Sequence, residues 1–336
     1  MILALLVATL SFNGHAQTDV EIKKLEGLIE RLGAVKTYSE KPAYYLQIDK
    51  TECRLLVRVN DIPLGYHFIE NEDESVLRPI NSLLFGSGKH TIRIEVYPRP
   101  GEKVVSENAC VNIRVVHCKE QSAGSPQTVA KLDTPADIGA RRTALYTDSV
   151  SFDAGLPFDH KNILADARDL RTVPGLEKRV LAHYNKVRQM MIDGKYAEYY
   201  TTRFITAGLA SEMNYWDKDI LKEQYLSPDY LFRFQCNPID WTALPIEDYE
   251  MVICGNGKLV CLRRKVDFDD VLQVSFYVSE ANKVLNPDER VFVSKFILLY
   301  MPQGCDELVE LYLSLIHISE PTETCADLVC RLLLEK

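Results

Sequence analysis

Hydrophobic positions change period several times along this chain. Ile22, Leu25, Leu28, Ile29 and Leu32 recur at helical spacing behind Asp19, which can cap a first turn, and Gly33 supplies a stop. From about residue 42 the period shortens to two. Residues 45–48 and 53–59 read as strands, and 90–96 and 111–115 alternate cleanly. Asn60-Asp61, Gly86-Ser87-Gly88 and Pro98-Arg99-Pro100-Gly101 break the pattern between them. An all-β sandwich is therefore predicted over residues 42–118. Leu55, Val57 and Val59 share a face with Cys53, whereas Val111, Ile113 and Val115 leave Cys110 and Cys118 on the opposite face. No disulfide is expected in this region.

Residues 119–142 (KEQSAGSPQTVAKLDTPADIGARR) lose this periodicity and have the composition of an interdomain linker. Residues 143–152 suit a lead-in strand, and 165–170 a short turn of helix. Helical spacing returns at Leu176, Val180, Tyr184, Val187 and Met191, with Pro174 suited to the first turn and Gly194 as the stop. Residues 195–204 and 209–226 continue as helix. Strands are predicted at 230–236, 249–254, 259–264, 272–278 and 291–301. Gly255-Asn256-Gly257-Lys258 carries the Asn-Gly signal of a tight type I′ hairpin, which would pair Cys254 with Leu259 and Val252 with Cys261. Those cysteines would lie diagonally on one face, near the outer limit for a bridge, so free thiols are expected there too.

Composition narrows the function classes. The chain has 336 residues, 46% hydrophobic and 26% charged, with 16 Gly and 15 Pro, which excludes collagen-like and wholly disordered classes and suggests two domains. A formal charge of −9 argues against a nucleic-acid partner, which would require a basic patch. Met1 to Phe12 (MILALLVATLSF) is too short to cross a bilayer and suits the apolar core of a signal peptide. Residues 1–16 are thus expected to be a leader, 17–41 a short helical segment, and the mature protein periplasmic or extracellular without a membrane span.

Several resemblances extend this reading. Gly14-His15-Ala16-Gln17 resembles the cleavage boundary of secreted proteins of the Bacteroidetes. LSLIHISEPT (313–322) and DLVCRLLLEK (327–336) resemble conceptual translations of sequencing-adapter DNA, in the order such adapters occur. Residues 313–336 are therefore expected to be foreign to the biological chain, and seven of the nine cysteines remain. The wording VNDIPLG…INSLLFGSGKHTIRIEVYP resembles immunoglobulin-like accessory modules of bacterial secreted proteins. Helices followed by antiparallel strands over 143–312 are similar to the cone-shaped nuclear-transport-factor and SnoaL-like superfamily. The fold class expected is therefore multidomain: an immunoglobulin-like β-sandwich, then an α+β domain whose curved antiparallel sheet surrounds a pocket.

Catalytic motifs are harder to find. Phe85 to His90 (FGSGKH) has a phosphate loop's glycines, but Leu83 stands where Gly is needed and His90 where Ser or Thr is needed, and a strand follows. A cysteine could pair with His67, His90, His117, His160 or His183, although adjacent His117 and Cys118 point to opposite faces. Asp267-x-Asp269-Asp270 lacks the Gly and Glu that complete a calcium loop. No metal site and no cofactor are expected, and no catalytic residue is assigned. Aromatic residues cluster more suggestively: Tyr184, Tyr196, Tyr199, Tyr200, Phe204, Tyr215, Trp216 and Trp241 fall in the helical part of the second unit. Tyr184, Tyr199, Tyr215, Trp216 and Trp241 are the candidate ligand-binding residues of a pocket mouth, against the alternative of an aromatic core layer. The functional expectation is an exported, non-catalytic binding protein of the cell envelope with an unidentified protein or small-molecule partner. The alternative is a small-ligand carrier or enzyme using a pocket in the second unit.

Overall fold

Helix α1 occupies residues 19–32 and buries Leu25, Leu28, Ile29 and Leu32, the stripe expected from their spacing. The computed structural model describes residues 19–33, 36, 38–64, 74–119 and 126–311. The apolar leader, His67 and the adapter-like residues 313–336 lie outside the described residues.

The first half contains β1 (Ala43–Thr51), β2 (Arg54–Val59), β3 (Ile62–Pro63), β4 (Glu74–Pro79), the single turn α2 (Asn81–Leu84), β5 (Gly86–Tyr97), β6 (Cys110–Cys118), β7 (Gln127–Asp133) and β8 (Tyr146–Asp159). They make two four-stranded antiparallel sheets, in the orders β4-β1-β6-β7 and β3-β2-β5-β8. Alternation sends Leu46 and Ile48, Leu55 and Val57, Ile92 and Ile94, and Ile113 and Val115 into one apolar cluster shared by both sheets. Cys53 joins that cluster. Cys118 packs on the opposite face of its strand against Ala43, Tyr45 and Val116.

The join between the halves departs from the sequence reading. Residues 119–142, expected to be a linker, contain β7, which pairs with β6 in the register Ile113↔Leu132. Within β7 only Leu132 is fully buried, because an edge strand keeps much of its surface in water and so shows little hydrophobic pattern. Beyond it, Gly139 lies so close to the 106–107 backbone that an added Cβ would sit 2.2 Å from the Glu107 Cα. Strand β8, read as a lead-in to the second unit, runs 14 residues and pairs with β5 instead. Residues 146–159 therefore complete the first half.

The second half contains α3 (Asn162–Ala165), α4 (Leu176–Ile192), α5 (Tyr196–Thr202), α6 (Phe204–Met213), α7 (Lys218–Leu226), β9 (Ile239–Ala243), β10 (Tyr249–Cys254), β11 (Leu259–Arg264), β12 (Leu272–Tyr277), α8 (Glu280–Leu285), β13 (Val291–Lys295), β14 (Leu298–Tyr300) and β15 (Val309–Leu311). Its sheets are ordered β10-β11-β14-β15 and β13-β12-β9. Pro174 precedes the α4 N-cap, Gly175, rather than occupying the first turn. The strand expected over 230–236 is replaced by turns with positive φ at Arg233 and Gln235 and a single bridge between Asp229 and Phe234. Its aromatic residues Phe232 and Phe234 still enter the core. The apolar run 291–301 divides between the two sheets, β13 in one and β14 in the other. Four residues, not two, connect β10 to β11, with Gly255, Asn256 and Gly257 all at positive φ. The pairing itself is as expected, Val252↔Cys261 and Cys254↔Leu259.

The sheet β10-β11-β14-β15 is a wall between two cores. Along β11, Leu259 and Cys261 face the first-half cluster, while Val260 and Leu262 face a second cluster built on the helices. Leu298 and Tyr300 of β14 likewise face the first, and Leu299 the second. Burial of both faces explains the unbroken apolar run Leu259-Val260-Cys261-Leu262. The architecture is thus α+β with antiparallel sheets, its two clusters meeting through a shared sheet. Among the described residues, no helix is long and apolar enough to cross a membrane.

All seven described cysteines carry free thiols. Cys254 and Cys261 hydrogen-bond to one another, and that bond, with burial, pushes the Cys254 thiol well above its ordinary range. Alkylation of the denatured, unreduced protein is expected to label all seven at full stoichiometry. A bridge from Cys53 to Cys110 or Cys118 would show the strand faces to be misassigned.

Candidate functional site

The second cluster combines an aromatic layer with several charges. Helix α4 supplies His183 and Tyr184, α5 supplies Tyr196, Tyr199 and Tyr200, and Arg203 sits at the α5–α6 junction. Glu310 from β15, Lys295 from β13 and Asp229 from the turn after α7 share the electrostatic environment of these helices. Glu310 is the hub. Only 5% exposed, its Oε2 lies 2.9 Å from Arg203 Nε and accepts from the Tyr199 hydroxyl at 2.9 Å. Its Oε1 lies 3.2 Å from His183 Nε2. The Arg203 guanidinium also donates to the Tyr199 hydroxyl and stacks 4.6 Å from that ring's centroid.

These contacts set the titration of the group. Burial alone would raise the Glu310 carboxyl, but Arg203, His183 and Lys295 together hold it below its usual range. Asp229 moves the other way: burial raises it, against Lys295 and the backbone N–H of Phe232, which donates at 2.9 Å. Burial, then the Arg203 charge, lowers the Lys295 amine to about 8. Its nitrogen stands 5.2 Å from the Tyr199 ring centroid and 5.7 Å from that of Tyr200. The arrangement therefore holds a carboxylate locked in contacts beside an amine that is partly neutral near physiological pH.

A second polar group lies where the helices meet the first half. Tyr38 donates to Glu212 Oε1, and Glu212 Oε2 is 3.2 Å from His160 Nε2. His160 stacks on Phe158, and burial together with Glu212 pushes the Tyr38 hydroxyl above its ordinary range.

Of the five residues expected at a pocket mouth, only Tyr199 joins the charged group. Tyr184 is buried, donating to the Ile297 carbonyl and accepting from the Leu262 N–H, both at 2.9 Å, and so ties α4 to the strands. Tyr215 packs in the first cluster with Tyr38 and Phe158, its hydroxyl on the Pro42 carbonyl. Trp216 is partly buried against the second cluster. Trp241 stands on β9, where its indole N–H donates to the Tyr230 carbonyl under the Arg233 guanidinium. The aromatic residues thus serve mainly as a core layer and do not converge on one opening.

Arg203, Asp229, Lys295 and Glu310 were not singled out from sequence. A weak signal for Lys295 existed: the alternation Val291-Phe292-Val293-Ser294-Lys295 places it on the face of Val291 and Val293, which pack on the second cluster. Glu310 interrupts the apolar run Leu308-Val309-Glu310-Leu311 in the same way. Other tempting motifs resolve into structure. Gly86 and Gly88 open β5, and His90 is buried against the Gly86 carbonyl. Asp267 closes a turn, accepting from the Asp269 N–H and pairing with Arg264, each at 3.1 Å. Among the described residues, no three His, Cys, Asp or Glu side chains gather as a metal-ion site.

Comparison of the chain with known protein families, curated proteins and solved structures finds no match.

Proposed function

We propose that this chain is an exported binding protein of the cell envelope, without a catalytic role, that engages a protein partner through the β12–α8–β13 hairpin. The observation that carries the reading is four large apolar side chains exposed within 15 residues: Val278 at 52%, Val284 at 76%, Leu285 at 77% and Phe292 at 60%. None of the six residues of α8 is buried, so this helix contributes little to the protein's own core. Strand β13 is the outer strand of its sheet among the described residues, leaving an edge to which an extended segment can add by backbone hydrogen bonding. Exposed apolar surface concentrated beside such an edge fits a contact surface better than a solvated one.

Three further observations support the same reading. The interior of the second half is filled by Tyr184, Tyr196, Tyr199, Tyr225, Phe232 and Phe276, all essentially buried. Two antiparallel sheets closing on one apolar cluster suit the finer fold proposed for the first half, an immunoglobulin-like sandwich followed by a second α+β unit. The apolar run at the N-terminus supports export. A second reading, a small-ligand site in the second half, draws on Lys295, whose amine is lowered to about 8 beside two tyrosine rings.

Photo-crosslinking residues placed at Val284 and Phe292, in the exporting cell, are expected to trap one discrete partner. The adduct should disappear with Leu285→Asp, and a crosslinker on the exposed Lys89 of β5 should trap none. Adducts at 284 and 292 no stronger than at 89 would overturn the assignment.

A further inference from the structure

Strand β13 is open along one side. Its five residues pair with β12 from Phe276↔Val291 to Leu272↔Lys295, and among the described residues none of them makes a backbone hydrogen bond outside that ladder. The outer N–H and C=O groups of such an edge accept an added strand. Pairing in the sheet β13-β12-β9 is antiparallel throughout, so a strand that continues the pattern runs opposite to β13. The exposed apolar side chains gather at one end of this edge. The pair Phe276↔Val291 sets the end of β12 beside the start of β13, and Val278 and α8, with Val284 and Leu285, form the connection between them. Phe292 follows one step along β13, on the face opposite Val291 and Val293.

Charge at this end is one-sided. Lys283 pairs with Asp240 at 2.7 Å. Arg290 donates to the Asp240 and Ser275 carbonyls and stacks 4.9 Å from the Tyr277 ring centroid. Both bases of the connection are thus engaged. Its acids Glu280, Asp288 and Glu289 are exposed and make no ion pair among the described residues. Three carboxylates therefore rim the apolar patch, a field that attracts a basic partner and repels an acidic one. Given the docking surface proposed above, we infer that its occupant is an extended segment, added antiparallel to β13, apolar where it crosses Phe292 and carrying Lys or Arg toward its C-terminal end. Antiparallel addition brings that end to residues 288 and 289. A second copy of this chain fits less well. Edge-to-edge pairing would bring Lys295 of one β13 toward the acids of the other, but the Lys295 nitrogen is turned inward, 5.2 Å from the Tyr199 ring centroid.

The probe is a fluorescein-labelled peptide about nine residues long, enough to span β13, with alternating Val and Thr followed by Lys-Arg-Lys at its C-terminal end. Fluorescence anisotropy with the full chain at low ionic strength is expected to show saturable binding. It should be at least about ten-fold tighter than that of the same peptide ending in Glu-Asp-Glu. Moving the basic residues to the N-terminal end should weaken binding, and N-methylation of the strand portion should abolish it. The variant Asp288→Lys with Glu289→Lys, both at exposed positions, is expected to reverse the order of the basic and acidic peptides. Equal affinity for the two peptides, an order unchanged in the variant, or no binding of either would overturn the inference. A dimer in light scattering that Leu285→Asp dissolves would also overturn it and give the edge to a second copy. Crosslinking at Val284 and Phe292 reads the surface independently of charge, so an adduct there without any peptide preference removes this occupant and leaves the docking surface standing.

Discussion

Replacing Glu310 by alanine is expected to cost about 3–5 kcal/mol of folding stability, the range for breaking a buried ion pair from one side. The variant leaves the Arg203 charge in the interior without its carboxylate and removes the acceptor for both Tyr199 and His183. The paired variant Arg203→Met with Glu310→Met is expected to recover most of the loss, since apolar side chains of similar volume remove the desolvation penalty along with the attraction. Urea unfolding of the three proteins measures both effects. A loss below about 1 kcal/mol for Glu310→Ala, or a double variant no better than the single one, would show that the group does not hold the β15 strand to the helices. The pH dependence follows from the lowered carboxyl. Its contribution is complete above the ordinary value of 4.5 and is lost as pH falls through the lower, folded-state value.

Lys295→Met is expected to do the opposite and stabilise the protein. The unfolded chain keeps the Lys295 proton up to 10.5, whereas the folded protein releases it at about 8. The unfolded state therefore binds more protons between those values, and the native protein gains stability as pH rises through that window. Below pH 8 the full penalty applies, with a ceiling of about 3 kcal/mol set by the drop from 10.5. Chemical unfolding at pH 7 should place Lys295→Met about 1–3 kcal/mol above the parent protein, with the gap closing by pH 10.5. An unchanged or lower midpoint at pH 7 would mean that the amine is well solvated or compensated.

The two variants separate the roles within one small group of residues. Glu310 belongs to the architecture, because its loss strands the charges around it. Lys295 is expected to cost the architecture stability, and groups with such shifted titration concentrate where a protein binds or reacts.

Much of the fold was legible in local pattern. The α1 stripe, the α4 stripe, β2, β5, β6 and the β10–β11 register all followed from spacing, because in each case one face is buried and the period of the element leaves its mark. The cysteine faces followed by the same argument, with Cys53 inside the first cluster and Cys118 on the opposite face of β6. Where burial is slight, as in β7, or where both faces are buried, as in β14, the period fades. Strand boundaries and sheet membership were then lost with it.

What the sequence determined by itself is the set of amphipathic elements and their faces, since these depend on nearest neighbours along the chain. It also determined the acidic balance and the aromatic content of the second core. Only the tertiary structure decided that β7 and β8 complete the first half, because edge pairing joins residues 10 to 73 positions apart and needs no apolar pattern. Only the tertiary structure likewise drew Tyr199, Arg203, Lys295 and Glu310 into one environment. Four residues spread over more than a hundred positions leave no common spacing, and the cost of burying their charges exists only once the helices and strands have closed around them.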